Sequence, residues 1–144
     1  MENEIICYTD GKYLPLSTAA LSVNDLGIQR GYGIFDFLRI SGNTPLFMDD
    51  HLQRFQHSAQ VMRLDKGLGL SEIKNQVQYL IAVNKFEHSG MRFILTGGDS
   101  NDGYTIGKPR LTIIQQSLPK PPETLPMEGI HLVTHAFQRQ IPEV

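Results

Sequence analysis

Arg54 and His51 stand three residues apart in Asp49-Asp50-His51-Leu52-Gln53-Arg54-Phe55. On a helix, residues i and i+3 are neighbours, so the two side chains share a face. A guanidinium is a rigid fork that matches phosphate or carboxylate oxygens, and it stays charged when partly buried. Arg54 is therefore a candidate anion holder, and His51 reads as a structural partner of this helix rather than a ligand. On spacing alone, a solvated arginine opposite the Leu52–Phe55 stripe is the more economical reading. Arg92 opens a β-rich run, Met91 to Thr96. It is either an ordinary edge arginine or a cation facing a ligand. Phe35, in the run Ile34 to Ile40, serves either the core or the apolar wall of a pocket. Gly31 and Gly33 bracket Tyr32, and a turn that needs free backbone angles accounts for both. A metal site built on His51 and His57 is weakly supported, because their spacing puts them on opposite faces of a helix. Cys7, the single cysteine, lies among Ile5, Ile6 and Tyr8 and reads as a small buried hydrophobe.

The elements that must position these residues follow from patterning. Ile5 to Thr9 predicts a short strand, and Asp10-Gly11 predicts a two-residue hairpin turn with the return beginning at Tyr13-Leu14. Leu16 to Arg30 reads as loop. Ile34 to Ile40 predicts a strand, and Gly42-Asn43 turns it towards Pro45-Leu46-Phe47. Leu52, Phe55, Ala59 and Met62 fall at helical spacing behind a cap at Asp49 or Asp50. Ser71 is the expected cap of a second helix with Ile73, Val77, Leu80 and Ile81 as its apolar stripe. Strands are expected at Met91 to Thr96, Leu111 to Gln115 and Ile130 to His135. The long polar connection from Gly97 to Pro109 has the character of a functional loop. Pro119, Pro121, Pro122 and Pro126 make the following stretch an extended connector. Hairpins and helices in this order predict an α+β fold, with a mainly antiparallel sheet and flanking helices.

Composition narrows the function classes. The 144 residues suit one ordinary domain, which buries about 70% of its unfolded surface. Apolar residues make up 40%, enough for a core, and the net charge of -2 has no basic stripe, which argues against nucleic acid as a partner. No apolar run approaches the ~18 residues of a membrane span. Glu2 and Glu4 stand where a signal peptide needs cations, and one cysteine cannot form an internal disulfide, so a cytoplasmic location is expected.

Three segments carry a resemblance. Asp25-Leu26-Gly27-Ile28-Gln29-Arg30-Gly31-Tyr32-Gly33-Ile34-Phe35-Asp36-Phe37-Leu38-Arg39 resembles the class IV aminotransferase motif D-x-G-x-x-R-G-x-G-V-F-E-x-[IL]-R. His51 to Arg54 resembles that family's H-x-x-R helix start. Arg139-Gln140-Ile141-Pro142-Glu143-Val144 resembles the segment R-x-x-P-x-[AV]-K that leads to the family's catalytic lysine. The three lie in the family's order over nearly the whole chain.

The resemblance implies a pyridoxal 5'-phosphate enzyme of two domains, usually a homodimer, with the cofactor in the cleft. This chain would be its smaller first domain: residues 1–118 form the α+β domain, and 119–144 the connector and strand leading into a second domain. It implies that Arg54 holds the cofactor phosphate, and that Phe35, Arg92 and Arg30 bind substrate. Arg30 stands where branched-chain aminotransferases carry a tyrosine, and Gly90 where they carry another. The loop Asp99 to Tyr104 lacks the R-x-H carboxylate trap of the D-amino-acid enzymes. The catalytic lysine is expected directly after Val144. Lys12, Lys66, Lys74, Lys85, Lys108 and Lys120 fall on turns, helix faces or the connector, so the chain as written is not expected to transaminate. The expected function of the full-length protein is transamination between an L-amino acid, branched-chain type favoured, and a 2-oxo acid. Elimination of the aminodeoxychorismate lyase kind is the first alternative. A truncated domain acting as a non-catalytic interaction module is the second.

Overall fold

The computed structural model describes residues 4–120, 129 and 131–137 of the chain. Their centre is a single six-stranded sheet in the order β2-β1-β6-β5-β3-β4. The strands are β1 (Ile6–Thr9), β2 (Lys12–Pro15), β3 (Gly33–Ser41), β4 (Thr44–Pro45), β5 (His88–Thr96) and β6 (Arg110–Ser117). Every pairing is antiparallel, so the α+β expectation holds. The β1–β2 hairpin turns at Asp10 and Gly11, both with positive φ (47° and 83°), which is the twist that a two-residue loop needs.

Side chains alternate across a strand, and the sheet uses that period. Leu38 and Ile40 on β3, Met91, Phe93 and Leu95 on β5, and Ile113 on β6 face one side and are buried. Two helices cover that side: α2 (Met48–Val61) contributes Leu52, Phe55 and Ala59, and α3 (Leu70–Asn84) contributes Ile73, Val77, Leu80 and Ile81. Phe55 and Phe93 meet across the seam with ring centroids 5.8 Å apart. Each fully buried side chain of this kind contributes about 1.5–3 kcal/mol. Asn84, near the end of α3, closes the layer against β1: it accepts from the Ile6 amide and donates to the Ile6 carbonyl. Cys7 is fully buried, and burial pushes its thiol pKa up, as suits a small hydrophobe.

Several boundaries differ from the sequence expectation. The N-cap of α2 is Phe47, in the left-handed region, and Asp49 and Asp50 lie within the first turn. There they face the positive end of the helix dipole without capping it. Gly69, not Ser71, caps α3, because Leu70 is drawn into the helix and packs on the core. A short helix, α1 (Leu26–Arg30), interrupts the expected loop. One turn is too short for periodicity to reveal. It exists because the Asp25 carboxylate accepts from the Gly27 amide at its start, and Gly31, at φ 65°, ends it. Gly33 has another reason to be glycine: an added Cβ would lie 2.8 Å from the Leu95 carbonyl.

The strand expected over Ile130 to His135 does not form at 131–135, where the side chains are exposed. β-rich sequence becomes a strand only beside a neighbour that bonds and covers it, and none of the six strands lies alongside. Most of the proline-rich connector, and the whole Arg139 to Val144 segment, lie outside the described residues. No helix among the described residues is long and apolar enough to cross a membrane.

Candidate functional site

Asp36 organises the arginine that the sequence singles out. It sits on β3 between Phe35 and Phe37, pointing to the helix side, and its side chain is only 4% exposed. A buried carboxylate must be paired. Arg54, reaching down from α2, donates from Nε to Oδ2 at 2.9 Å and from Nη2 to Oδ1 at 2.7 Å. His51 Nδ1 lies 2.8 Å from Oδ1, and the Phe37 amide donates to the same oxygen at 2.6 Å. The tautomer with Nδ1–H satisfies this set. The 3.1 Å approach of Arg54 Nη2 to His51 Nδ1 is then proximity, because that nitrogen's proton is already given to Asp36. Arg54 remains 66% exposed. One edge of its fork is fixed by Asp36, and Nη1 has no partner among the described residues.

Burial pushes the Asp36 carboxyl up, but the bonds from Arg54, His51 and the Phe37 amide outweigh it and hold the group below the usual carboxylate range. A depressed folded pKa makes stability rise with pH between the folded and unfolded values. The contribution is complete above the unfolded value of about 3.9 and is lost as pH falls through the lower folded value. Asp99, held down by the bond from Arg110, and Asp102, held down by the bonds from Thr105, titrate in the same direction. The test is therefore a difference. Between about pH 4 and pH 2 the urea midpoint of Asp36→Asn is expected to fall less steeply than that of the parent protein. Parallel slopes would show that Asp36 does not carry this linkage.

On the opposite face of the sheet, which α2 and α3 do not cover, α1 lies only at the Thr96 end of β5. Phe35 lies there, 74% exposed, so it is not a core residue. Arg92 projects from β5, which runs between β3 and β6. It is thus a central-strand arginine, not an edge one. Both line a cavity of about 400 Å³, together with Ile34, Ile94, Thr96 and the small residues Gly27, Gly31 and Gly33. Of these glycines only Gly31 has open space where a side chain would project, while Thr96 lies against Gly27 and the Leu95 carbonyl against Gly33. The arrangement offers an apolar surface with one cation at its side. Arg30 does not line this cavity. Its Nε donates to the Gly103 carbonyl at 3.1 Å, and its guanidinium lies 4.3 Å from the centre of the Tyr104 ring. It ties α1 to the 97–109 loop instead.

That loop is held at its other side by residues to which the sequence reading gave no role. Asp25 is fully buried. Its Oδ2 accepts from the Thr96 hydroxyl at 2.8 Å and from Arg110 Nη1 at 3.0 Å, while Oδ1 caps α1. Arg110 Nη2 continues to Asp99 Oδ2 at 3.1 Å. The backbone supports the same contact: Leu26 donates to Gly98, and Ser100 donates to Asn24. Asp102 orders the tip by accepting from Ser100 Oγ, Thr105 Oγ1 and the amides of Tyr104 and Thr105. The signal available for Asp25 and Asp36 is their place as the two acidic positions of the motif quoted above. Arg110 carried no such signal, because its partners are 85 and 11 residues away.

Comparison with known proteins bears on the family and the fold. Residues 33–143 match the family described as amino-transferase class IV. The chain is 29% identical over 135 residues to a putative branched-chain-amino-acid aminotransferase of Methanocaldococcus jannaschii, covering 92% of this chain and 46% of that protein. It is 25% identical over 128 residues to the D-alanine aminotransferase of Bacillus licheniformis, covering 87% and 45%. It is 26% identical over 141 residues to the aminodeoxychorismate lyase of Bacillus subtilis, covering 94% and 47%. The chain thus spans less than half the length of each of these relatives. Among solved structures, the branched-chain aminotransferase of the thermophilic archaeon Thermoproteus uzoniensis with norvaline superposes with a TM-score of 0.71 at 21% identity, over 81% of this chain and 42% of that one. The match over residues 33–143, on a fold shared with that structure, makes this chain a member of the class IV aminotransferase family.

Proposed function

We propose that this chain is the first domain of a pyridoxal-phosphate-dependent aminotransferase that exchanges an amino group between an L-amino acid of branched-chain type and a 2-oxo acid. In this reading the protein works in the cytoplasm as a homodimer. The observation that carries it is the shared cavity of Phe35 and Arg92. Phe35, Ile34 and Ile94 suit an aliphatic side chain. Arg92 suits the second carboxylate of the acidic partner that alternates with it.

The residues present fit the cofactor's anionic end. Arg54 offers an exposed cationic edge, and Asp36 holds the other edge in place, so little rotamer freedom is lost on binding. Bound cofactor supplies an electron sink for the substrate carbon. Arg54 holds the phosphate, and Asp36 and His51 orient Arg54. Phe35 excludes water from one side of the substrate, and Arg92 pairs a side-chain carboxylate.

The test is product formation by the full-length protein from L-leucine and 2-oxoglutarate with added cofactor. Glutamate and 4-methyl-2-oxopentanoate are the expected products. Turnover confined to D-alanine, pyruvate release from aminodeoxychorismate, or no turnover with any of these would each overturn the reading.

Arg92→Leu is expected to raise the KM for 2-oxoglutarate and glutamate roughly tenfold or more, because a charged hydrogen bond of about 1.5–3 kcal/mol is forfeited. The KM for leucine should change far less, since leucine has no second carboxylate. Equal losses for both would assign Arg92 to the common α-carboxylate or to folding.

A further inference from the structure

We propose that Phe37 is a positioning residue for Arg92, and that it thereby sets how strongly the site prefers substrates with a second carboxylate. This rests on the reading that Arg92 receives such a carboxylate. Phe37 on β3 stands opposite Arg92 on β5 in the strand register, and Gly90 is opposite Arg39, one step along the same face. The period of two puts Phe37, Gly90 and Arg92 together on the side away from α2 and α3. A Cβ built on Gly90 would lie 2.0 Å from Phe37 Cζ and 2.7 and 2.9 Å from its two Cε atoms. The tip of the ring therefore fills the space that a side chain at position 90 would take. From that seat the ring centre is 6.0 Å from Arg92 Cζ. No carboxylate among the described residues pairs with Arg92, so the ring is the described neighbour that bears on its charge. A cation near the face of an aromatic ring is held there by the ring quadrupole, and 6.0 Å is the outer edge of that range. The ring also blocks the guanidinium from folding back over the bare Gly90 backbone and leaves it towards the cavity that Arg92 lines with Phe35.

Gly90 gives an independent handle on the ring. The three atoms nearest to a methyl group there all belong to the far end of the Phe37 ring, so Gly90→Ala displaces the ring while leaving Phe37 and Arg92 chemically intact. The readout is the ratio of KM for 2-oxoglutarate to KM for 4-methyl-2-oxopentanoate in the full-length protein with cofactor. Phe37→Leu is expected to raise this ratio about two- to fivefold, the size of an exposed cation–π contact. Phe37→Tyr, which keeps the ring, should restore it, and Gly90→Ala should move it in the direction of Phe37→Leu. A merely structural role would shift both KM values alike and leave the ratio unchanged. If Arg92→Leu changes the ratio while Phe37→Leu and Gly90→Ala do not, the inference about Phe37 is overturned and the role of Arg92 stands. If Arg92→Leu leaves the ratio unchanged too, both are overturned together.

Discussion

Asp25→Ala is expected to be the most destabilising single change outside the hydrophobic core, costing about 3–5 kcal/mol, the range for breaking a buried ion pair by removing one partner. Asp25 is fully buried, and its two oxygens serve three donors from separate parts of the chain: the Gly27 amide, the Thr96 hydroxyl and Arg110 Nη1. Alanine leaves the first turn of α1 uncapped, which alone costs about 0.5–2 kcal/mol. It also leaves a mostly buried guanidinium with only Asp99 and the distant Asp10 to pair it. Thr96 can turn its hydroxyl elsewhere, but Arg110 has no acceptor state and cannot adapt. Asp25→Asn should cost less than alanine, because the amide oxygen can still cap α1, yet its NH2 would face the Arg110 donors. Two measurements check this. Urea unfolding gives the total loss, and amide exchange shows whether the 97–109 loop and α1 open first. A loss below about 1 kcal/mol, with unchanged exchange in the loop, would mean that the backbone contacts of Leu26 and Ser100 hold this region without the carboxylate.

The contrast between Asp25 and its surroundings shows what the sequence could carry. Strands β1, β3, β5 and β6 were legible as β-rich runs, and both long helices as apolar residues spaced three to four apart. Asp10-Gly11 announced its turn, since few other residue pairs accept two positive φ values in succession. Helix α1 was invisible because a single turn has no period, and its stability comes from a cap and a buried network that closes across the fold. The end of the chain misled for the opposite reason. Leu132 and Val133 have strand character, but a strand is a property of a pair, and local composition does not say whether a partner is present.

Pairing also decided how the candidate site could be read. Arg54 was identified as a cation that could hold an anion, from residue type and motif. That Asp36 lies beneath it was not legible, because the two residues are 18 apart on different elements. Phe35 and Arg92 share a cavity only because β3 and β5 are neighbours in the sheet. Arg30, close to Phe35 in sequence, is drawn away by Tyr104 and Gly103. Residue type suggested the chemistry at each of these positions. Register determined which of them meet.

Arg54→Ala should weaken pyridoxal phosphate binding to the full-length protein by at least tenfold, and more if two bonds to the phosphate are lost. Each charged hydrogen bond is worth about 1.5–3 kcal/mol, and the guanidinium is already fixed, so its removal forfeits an interaction for which little ordering entropy was needed. The substitution has a second consequence that must be separated from the first. Asp36 would stay buried with only His51 and the Phe37 amide as donors. Part of any loss would therefore be a loss of stability, felt through β3 and α2. Arg54→Lys discriminates between the two. An ammonium can neutralise Asp36 and keep the fold, but it lacks the fork that bonds a carboxylate on one edge while presenting N–H groups on the other. Lysine is thus expected to restore the urea midpoint while leaving the cofactor dissociation constant raised. Titration of the apoprotein with cofactor, followed by absorbance, gives that constant directly. An unchanged constant in Arg54→Ala would reduce Arg54 to the partner of Asp36. Full recovery of cofactor affinity by lysine would mean that charge alone, and not the geometry set by Asp36, holds the phosphate.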